Sequence, residues 1–166
     1  MKINSRAKGA AAERQLIIEL RGHLGDEIAS KMKRNLEQSR KGGHDIAGLD
    51  GWALEVKRYK TFTETELARI WERQVIDQAW KINARPALAY KGDYKPWRFR
   101  VPIVLLRDHD SPWGEGLDWL PMWTADIGIE AFSSLVREAH CAAVLRGVAA
   151  PGDNRPMSID PAVAPR

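Results

Sequence analysis

Apolar residues recur at helical spacing between Lys8 and Leu24, at Ala10, Leu16, Ile17, Leu20 and Leu24, and Gly22 and Gly25 punctuate the end of that stretch. Residues 1–7 before it read as a loose basic arm. A short strand is expected near Ile28–Lys33, and the polar run RNLEQSRKGG follows as a connection. HDIAG and WALEVK predict two strands joined around Leu49-Asp50-Gly51, a turn signal. TFTETELARIWERQVIDQAWKINA predicts a helix with Thr63 as its cap and Glu66 completing a capping box. Its apolar face runs through Leu67, Ile70, Trp71, Val75 and Ala79 or Ile82, and Pro86 follows its end. ALAY and FRVPIVLL are two further strands split by the turn-like KGDYKPW, and DHDSPWGEGLDW is an acidic loop. Ile129 to Leu145 is a last amphipathic helix, with Phe132, Leu135, Val136 and Ala139 on one side. The tail 149–166 is rich in proline and small residues and is expected to be disordered, leaving 1–148 as one domain without internal repeats. Helix, strands, helix, strands, helix is an α/β layout.

The hairpin is where chemistry enters. In the second strand Trp52, Leu54 and Val56 face one side, and Ala53, Glu55 and Lys57 the other. A three-residue loop, with Gly51 in the left-handed position, pairs Gly48 with Trp52 and brings Asp45 opposite Glu55. A two-residue loop would turn Asp45 to the opposite face.

On the first helix, at about 100° per residue, Leu20 and Leu24 lie within about 20° of the direction of Glu13, and Ala10, Leu16 and Ile17 within about 60°. Glu13 therefore falls inside the apolar stripe, while Arg14 and Glu19 point to solvent. A buried carboxylate needs a partner, either an arginine or lysine or a metal ion shared with other acids. On the second reading Glu13, Asp45, Glu55 and Lys57 converge. Their hard oxygens suit Mg²⁺, which can hold a phosphodiester and activate a water while Lys57 orients that water or neutralises charge on the phosphate.

Charge separates the two ends of the chain. Residues 1–100 carry 21 Lys+Arg against 13 Asp+Glu, and residues 101–166 carry 5 against 9, so a basic front meets an acidic back. One face is expected to meet a polyanion, with nucleic acid the first candidate. No apolar run is long enough to span a bilayer, the start lacks a signal-peptide core, and Cys141 is the only cysteine. A soluble, cytoplasmic protein with no membrane partner is expected.

KGAAAER (8–14), GGHDIAG (42–48) and LEVK (54–57), in that order, resemble the signature of the PD-(D/E)xK nucleases, which share a restriction-endonuclease-like fold. Within them the set looks most like the archaeal-type Holliday junction resolvases; compact nucleases of this type are also common in phage and prophage genomes. Those proteins open with a helix bearing K-G-x-x-x-E-R, followed by an arginine, a serine, a D-I pair and an E-x-K strand. Lys8, Gly9, Glu13 and Arg14 match the opening, Arg34 and Ser39 stand for the arginine and serine, and Asp45, Glu55 and Lys57 match the remainder. His44 stands where proline is usual, and 107–166 has no counterpart.

Over residues 5–105 the resemblance implies a restriction-endonuclease-like core, a mixed central sheet flanked by helices, with the last helix as an addition. It implies Mg²⁺-dependent hydrolysis of DNA phosphodiesters, with Mn²⁺ able to substitute. Glu13, Asp45 and Glu55 are then ligands and Lys57 the catalytic lysine. It also implies a homodimer that nicks two strands of a four-way junction, and a glutamine on the following helix near the metal or DNA, for which Gln74 is better placed than Gln78. Phosphate contacts are expected from Arg6, Lys8, Arg14, Arg34, Ser39, Arg40, Lys41, Arg58 and Lys60, with Lys2, Lys31 and Lys33 nearby. Lys91, Lys95, Arg98 and Arg100 form a second basic patch in which Tyr94 and Trp97 either stack on bases or pack. A nuclease of the same fold cutting linear, flap or nicked DNA, and a non-catalytic DNA-binding protein, are the alternatives.

Overall fold

The computed structural model describes residues 5–36, 44–107 and 119–145. Helix α1 (Ser5–Arg21) starts ahead of the expected Lys8 and buries Ala12, Leu16, Ile17 and Leu20. The segment expected as a strand at 28–33 is instead one helical turn, α2 (Asp26–Ala29), followed by a two-residue strand, β1 (Lys33–Arg34). Asp26 and Glu27 favour the start of a helix, and Ile28, Ala29 and Met32 bury one side at helical spacing. Arg21 fastens this turn to α1, donating from Nη2 to the Met32 carbonyl at 2.7 Å and from Nε to Ala29 at 3.1 Å.

The hairpin follows as β2 (Ile46–Ala47) and β3 (Trp52–Arg58). The next helix has the expected capping box of Thr63 and Glu66, but it is not uniform. It runs as α3 (Glu64–Ile70), a π-helical turn (Trp71–Val75) and α4 (Ile76–Lys81). Leu67, Ile70, Trp71, Val75 and Ala79 are buried, and Ile82 is not. Then come β4 (Arg85–Lys91), β5 (Arg98–Pro102), a helical turn α5 (Val104–Arg107), β6 (Thr124–Ile127) and α6 (Ile129–Leu145). Strand β6 has no counterpart in the sequence reading: TADI is short and only half-buried throughout. FRVPIVLL stops being a strand at Pro102 and turns into α5. The expected acidic loop at 108–118 and the tail at 149–166 lie outside the described residues.

The six strands form one sheet in the order β1-β2-β3-β4-β5-β6, antiparallel throughout except for the parallel pair β3–β4. Parallel neighbours need a crossover, and α3–α4 provides it. Each face of the sheet is covered. Leu54, Val56, Ala87, Ala89, Phe99 and Val101 pack with α1 and α6, where Phe132 stacks on Phe99 at 4.3 Å and meets Trp52 edge-on at 5.1 Å. On the other face Leu88 packs under Leu67, Ile70, Trp71 and Val75, and Ala53 under Ala79. This is the mixed, helix-flanked sheet with a C-terminal helix that the sequence led us to expect.

Arg100 pins the crossover to the sheet. Buried at 3% exposure, it donates to Glu64 on α3 at 2.7 and 2.8 Å and to Asp126 on β6 at 3.0 and 2.7 Å. Burial works against its charge, but the hydrogen bonds and charges of the two carboxylates outweigh burial and raise its pKa.

The turn between β2 and β3 sets the register. Gly48 has φ +88°, and a Cβ there would overlap the Lys31 carbonyl. Gly48→Ala is therefore expected to cost more than about 2 kcal/mol, from the backbone conformation and the clash together. Urea unfolding midpoints test this; a midpoint equal to that of the wild type would mean the turn is not held as described.

Candidate active site

Residues 48–51 join β2 to β3. Ile46 stands opposite Leu54, the register expected from the sequence, and Gly51 has φ +76°. The Trp52 amide donates to the Leu49 carbonyl at 3.1 Å. This register brings Asp45 to Glu55, though by an unexpected route. The Asp45 amide donates to the Leu54 carbonyl at 3.0 Å, and its Oδ2 accepts from the Val56 amide at 2.6 Å. Asp45 thus grips the β3 main chain on both sides of Glu55.

Glu55 is 2% exposed and lies level with Leu88, on the face covered by the α3–α4 crossover. Its Oε1 accepts from Lys57 Nζ, two residues along the same face. Its Oε2 is buried and has no hydrogen-bond partner among the described residues. Burial pulls the Lys57 ammonium down, but the charge and hydrogen bond of Glu55, with Asp45 behind them, win and raise its pKa above the usual 10.5. Lys57 is therefore a fixed cation at neutral pH. It can donate to an anion or neutralise one.

Glu13 does not join this group. Its Oε2 accepts from Arg34 Nε at 2.5 Å, with Glu13 only 15% and Arg34 28% exposed. Among the described residues no three His, Cys, Asp or Glu side chains gather closely enough to hold a metal ion together. The structure thus brings Asp45, Glu55 and Lys57 together but not Glu13, and the reason is topological. Helix α1 packs on the sheet face of Leu54 and Val56, whereas Glu55 projects from the other. Arg34, on the edge strand β1, satisfies Glu13 there.

The donor set still fits Mg²⁺, which keeps several waters and takes one or two protein carboxylates. An orphaned, buried carboxylate oxygen on Glu55 beside Asp45 is an uncompensated acceptor that a cation would satisfy. Asp45 and Glu55 would hold it.

The expected phosphate contacts divide into three groups. Lys8, Arg14, Lys33, Lys60 and Lys95 are exposed. Several others are occupied. Arg34 is held by Glu13. Arg58 lies 3.8 Å from Asp93 and donates to Gln15 at 3.2 Å. Lys31 lies between Glu27 and Asp50 at 3.8 and 3.7 Å. Lys91 lies 3.7 Å from Glu19, and Arg98 donates to the Asp126 carbonyl at 2.7 Å. Arg6 falls within α1, and Lys2, Ser39, Arg40 and Lys41 lie outside the described residues. The second basic patch is largely structural, because Arg100 is a buried clamp and Trp97 is buried with its Nε1 on Glu19 at 3.2 Å. Glu19, expected in solvent, is the acceptor that organises that corner.

Gln74 is exposed and lines a cleft with Tyr59, Lys60 and Arg69, whereas Gln78 is half-buried with an unpartnered Oε1. His44 directly precedes Asp45; its Nδ1 is buried without a partner among the described residues, and burial lowers its pKa against the opposing charge of Glu55.

The raised pKa of Lys57 has a pH signature. A group whose pKa is higher in the folded state contributes stability below its unfolded pKa, and that contribution fades as pH rises through the folded value. Wild-type stability should thus fall above about pH 10.5 more steeply than that of Lys57→Met. At pH 8 the substitution, which strands the Glu55 carboxylate, should cost about 2 kcal/mol. Urea titrations across pH 8 to about 11.5 read both; parallel curves for the two proteins would contradict the pairing.

No family model and no curated protein sequence matches the chain. A search of solved structures finds a Holliday junction resolvase from the archaeal hyperthermophile Archaeoglobus fulgidus, 20% identical with a TM-score of 0.42. The likeness covers 75% of this chain and 97% of that one.

Proposed function

We propose that the chain is a Mg²⁺-dependent endonuclease that hydrolyses DNA phosphodiester bonds. Its preferred substrate is branched DNA, above all a four-way junction nicked on two strands by a homodimer. The observation that carries this reading is Glu55, which gives one oxygen to Lys57 and leaves the other buried and open beside Asp45. A purely structural pair would satisfy both oxygens, and a protein that only bound phosphates would gain nothing from two buried acids.

A bound Mg²⁺ would supply an activated water and charge neutralisation at the scissile phosphate. Asp45 and Glu55 would hold it, and Mn²⁺ would substitute because the donors are hard oxygens. Lys57, held cationic by Glu55, faces the charge that builds on the phosphate. The bond from the Val56 amide to Asp45 fixes the main chain between Glu55 and Lys57, so neither moves as charge develops. Exposed Lys8, Arg14 and Lys60 attract the DNA backbone. Among the described residues no helix is long and apolar enough to cross a membrane.

The test is cleavage of a labelled synthetic four-way junction in Mg²⁺, beside linear, flap and nicked duplexes. Paired symmetric nicks on the junction are expected. Glu55→Gln should lower cleavage by about 100-fold or more while DNA binding is kept or improved. Equal cutting of the other substrates would make the protein a general nuclease of this kind. No cutting in Mg²⁺ or Mn²⁺ would leave a non-catalytic DNA-binding protein.

A further inference from the structure

A cleft of about 500 Å³ opens just beyond the end of β3, lined by Tyr59, Lys60, Thr61, Arg69, Arg73 and Gln74 together with Glu66 and Ile70. Its wall is the α3–π–α4 crossover, which covers the same sheet face that carries Glu55 and Lys57. The strand that ends in Lys57 and Arg58 therefore runs directly into it.

The cations of this cleft differ from most others in the molecule. Arg34, Arg58, Lys91 and Arg100 all have carboxylate partners. Lys60, Arg69 and Arg73 are exposed, and none makes an ion pair or side-chain hydrogen bond among the described residues. The one acid lining the cleft, Glu66, is bonded first to the helix cap. Its Oε2 accepts from the Thr63 amide and hydroxyl, both at 2.9 Å, and these bonds, with a smaller contribution from the Arg69 charge, hold its carboxyl below the usual range.

Two arginines at i and i+4 repel and destabilise a helix by a few tenths of a kcal/mol. In a regular α-helix they would be offset by about 40° around the axis. Here the π-helical turn Trp71–Val75 intervenes, and its wider turn rotates less per residue, bringing Arg73 closer to the line of Arg69. The turn is held in place by buried Trp71, whose Nε1 donates to the Trp119 carbonyl at 2.6 Å.

We infer that this cleft is a phosphate subsite, in which Arg69, Arg73 and Lys60 grip successive phosphates of the DNA strand leaving the Asp45–Glu55–Lys57 site. Tyr59, 45% exposed and backed by Phe62 at 4.9 Å, and Thr61 line the sugar side. The inference rests on the proposed nuclease reading and adds a strand path that none of the residues of the motif specifies.

The experiment uses full-length Glu55→Gln protein, which binds without cutting, and a fluorescent four-way junction titrated at several KCl concentrations. Adding Arg69→Gln and Arg73→Gln should weaken binding at least about tenfold at low salt and lower the slope of log K against log[salt] by about 1.8, two phosphate contacts. Arg69→Lys with Arg73→Lys should restore the slope, because a phosphate accepts either cation. Lys81→Ala, an exposed cation outside the cleft and paired with Asp77, should change nothing. If the glutamine pair leaves affinity and slope unchanged while the Glu55→Gln parent binds normally, the subsite is wrong and the nuclease reading survives. If the parent binds no DNA at any salt, both fall together.

Discussion

Everything at the candidate site depends on how Asp45 holds strand β3. Strand β2 is only two residues long, so β3 runs past it with an amide that has no strand partner. The Asp45 carboxylate takes the place of that missing carbonyl at Val56 while its own amide bonds Leu54. A side chain that ends a sheet ladder is thereby fixed to within a hydrogen bond of the main chain. The residue between the two anchored positions is Glu55. A buried, half-satisfied acid next to a lysine is costly, and it persists only because the backbone beneath it cannot relax away.

The second constraint is the parallel pair β3–β4. Its crossover lays α3, the π-helical turn and α4 over one face of the sheet, leaving the other to α1 and α6. The candidate site follows this division. Glu55 and Lys57 lie beneath the crossover, and the unpaired arginines stand on its outer wall. Glu13 belongs to the opposite layer and is neutralised at the sheet edge by Arg34.

Much of this was legible in the chain. The capping box at Thr63, the apolar stripes of α1 and α6, and the left-handed Gly51 each follow from local chemistry, and the hairpin register followed from Gly51 alone. What failed were matters of tertiary context. Helical spacing placed Glu13 in the apolar stripe but could not say which sheet face the stripe would meet. Arg100 reads as one of a run of surface cations, and only the arrival of Glu64 and Asp126 from distant segments makes it a buried clamp. The π-helical turn leaves no periodic trace, since Leu67, Ile70, Trp71, Val75 and Ala79 fit an ordinary helix nearly as well.

That clamp also changes what the later part of the chain is for. A nuclease core drawn at residues 5–105 would include Arg100 and Glu64 but omit Asp126. During synthesis, every side chain proposed for the chemistry has emerged well before β6. In the folded chain β6 lies along β5, and its Asp126 gives the buried arginine the second carboxylate that its dry environment demands. The segment beyond residue 105 is therefore less an appendage than part of the fastening that holds the crossover on the sheet.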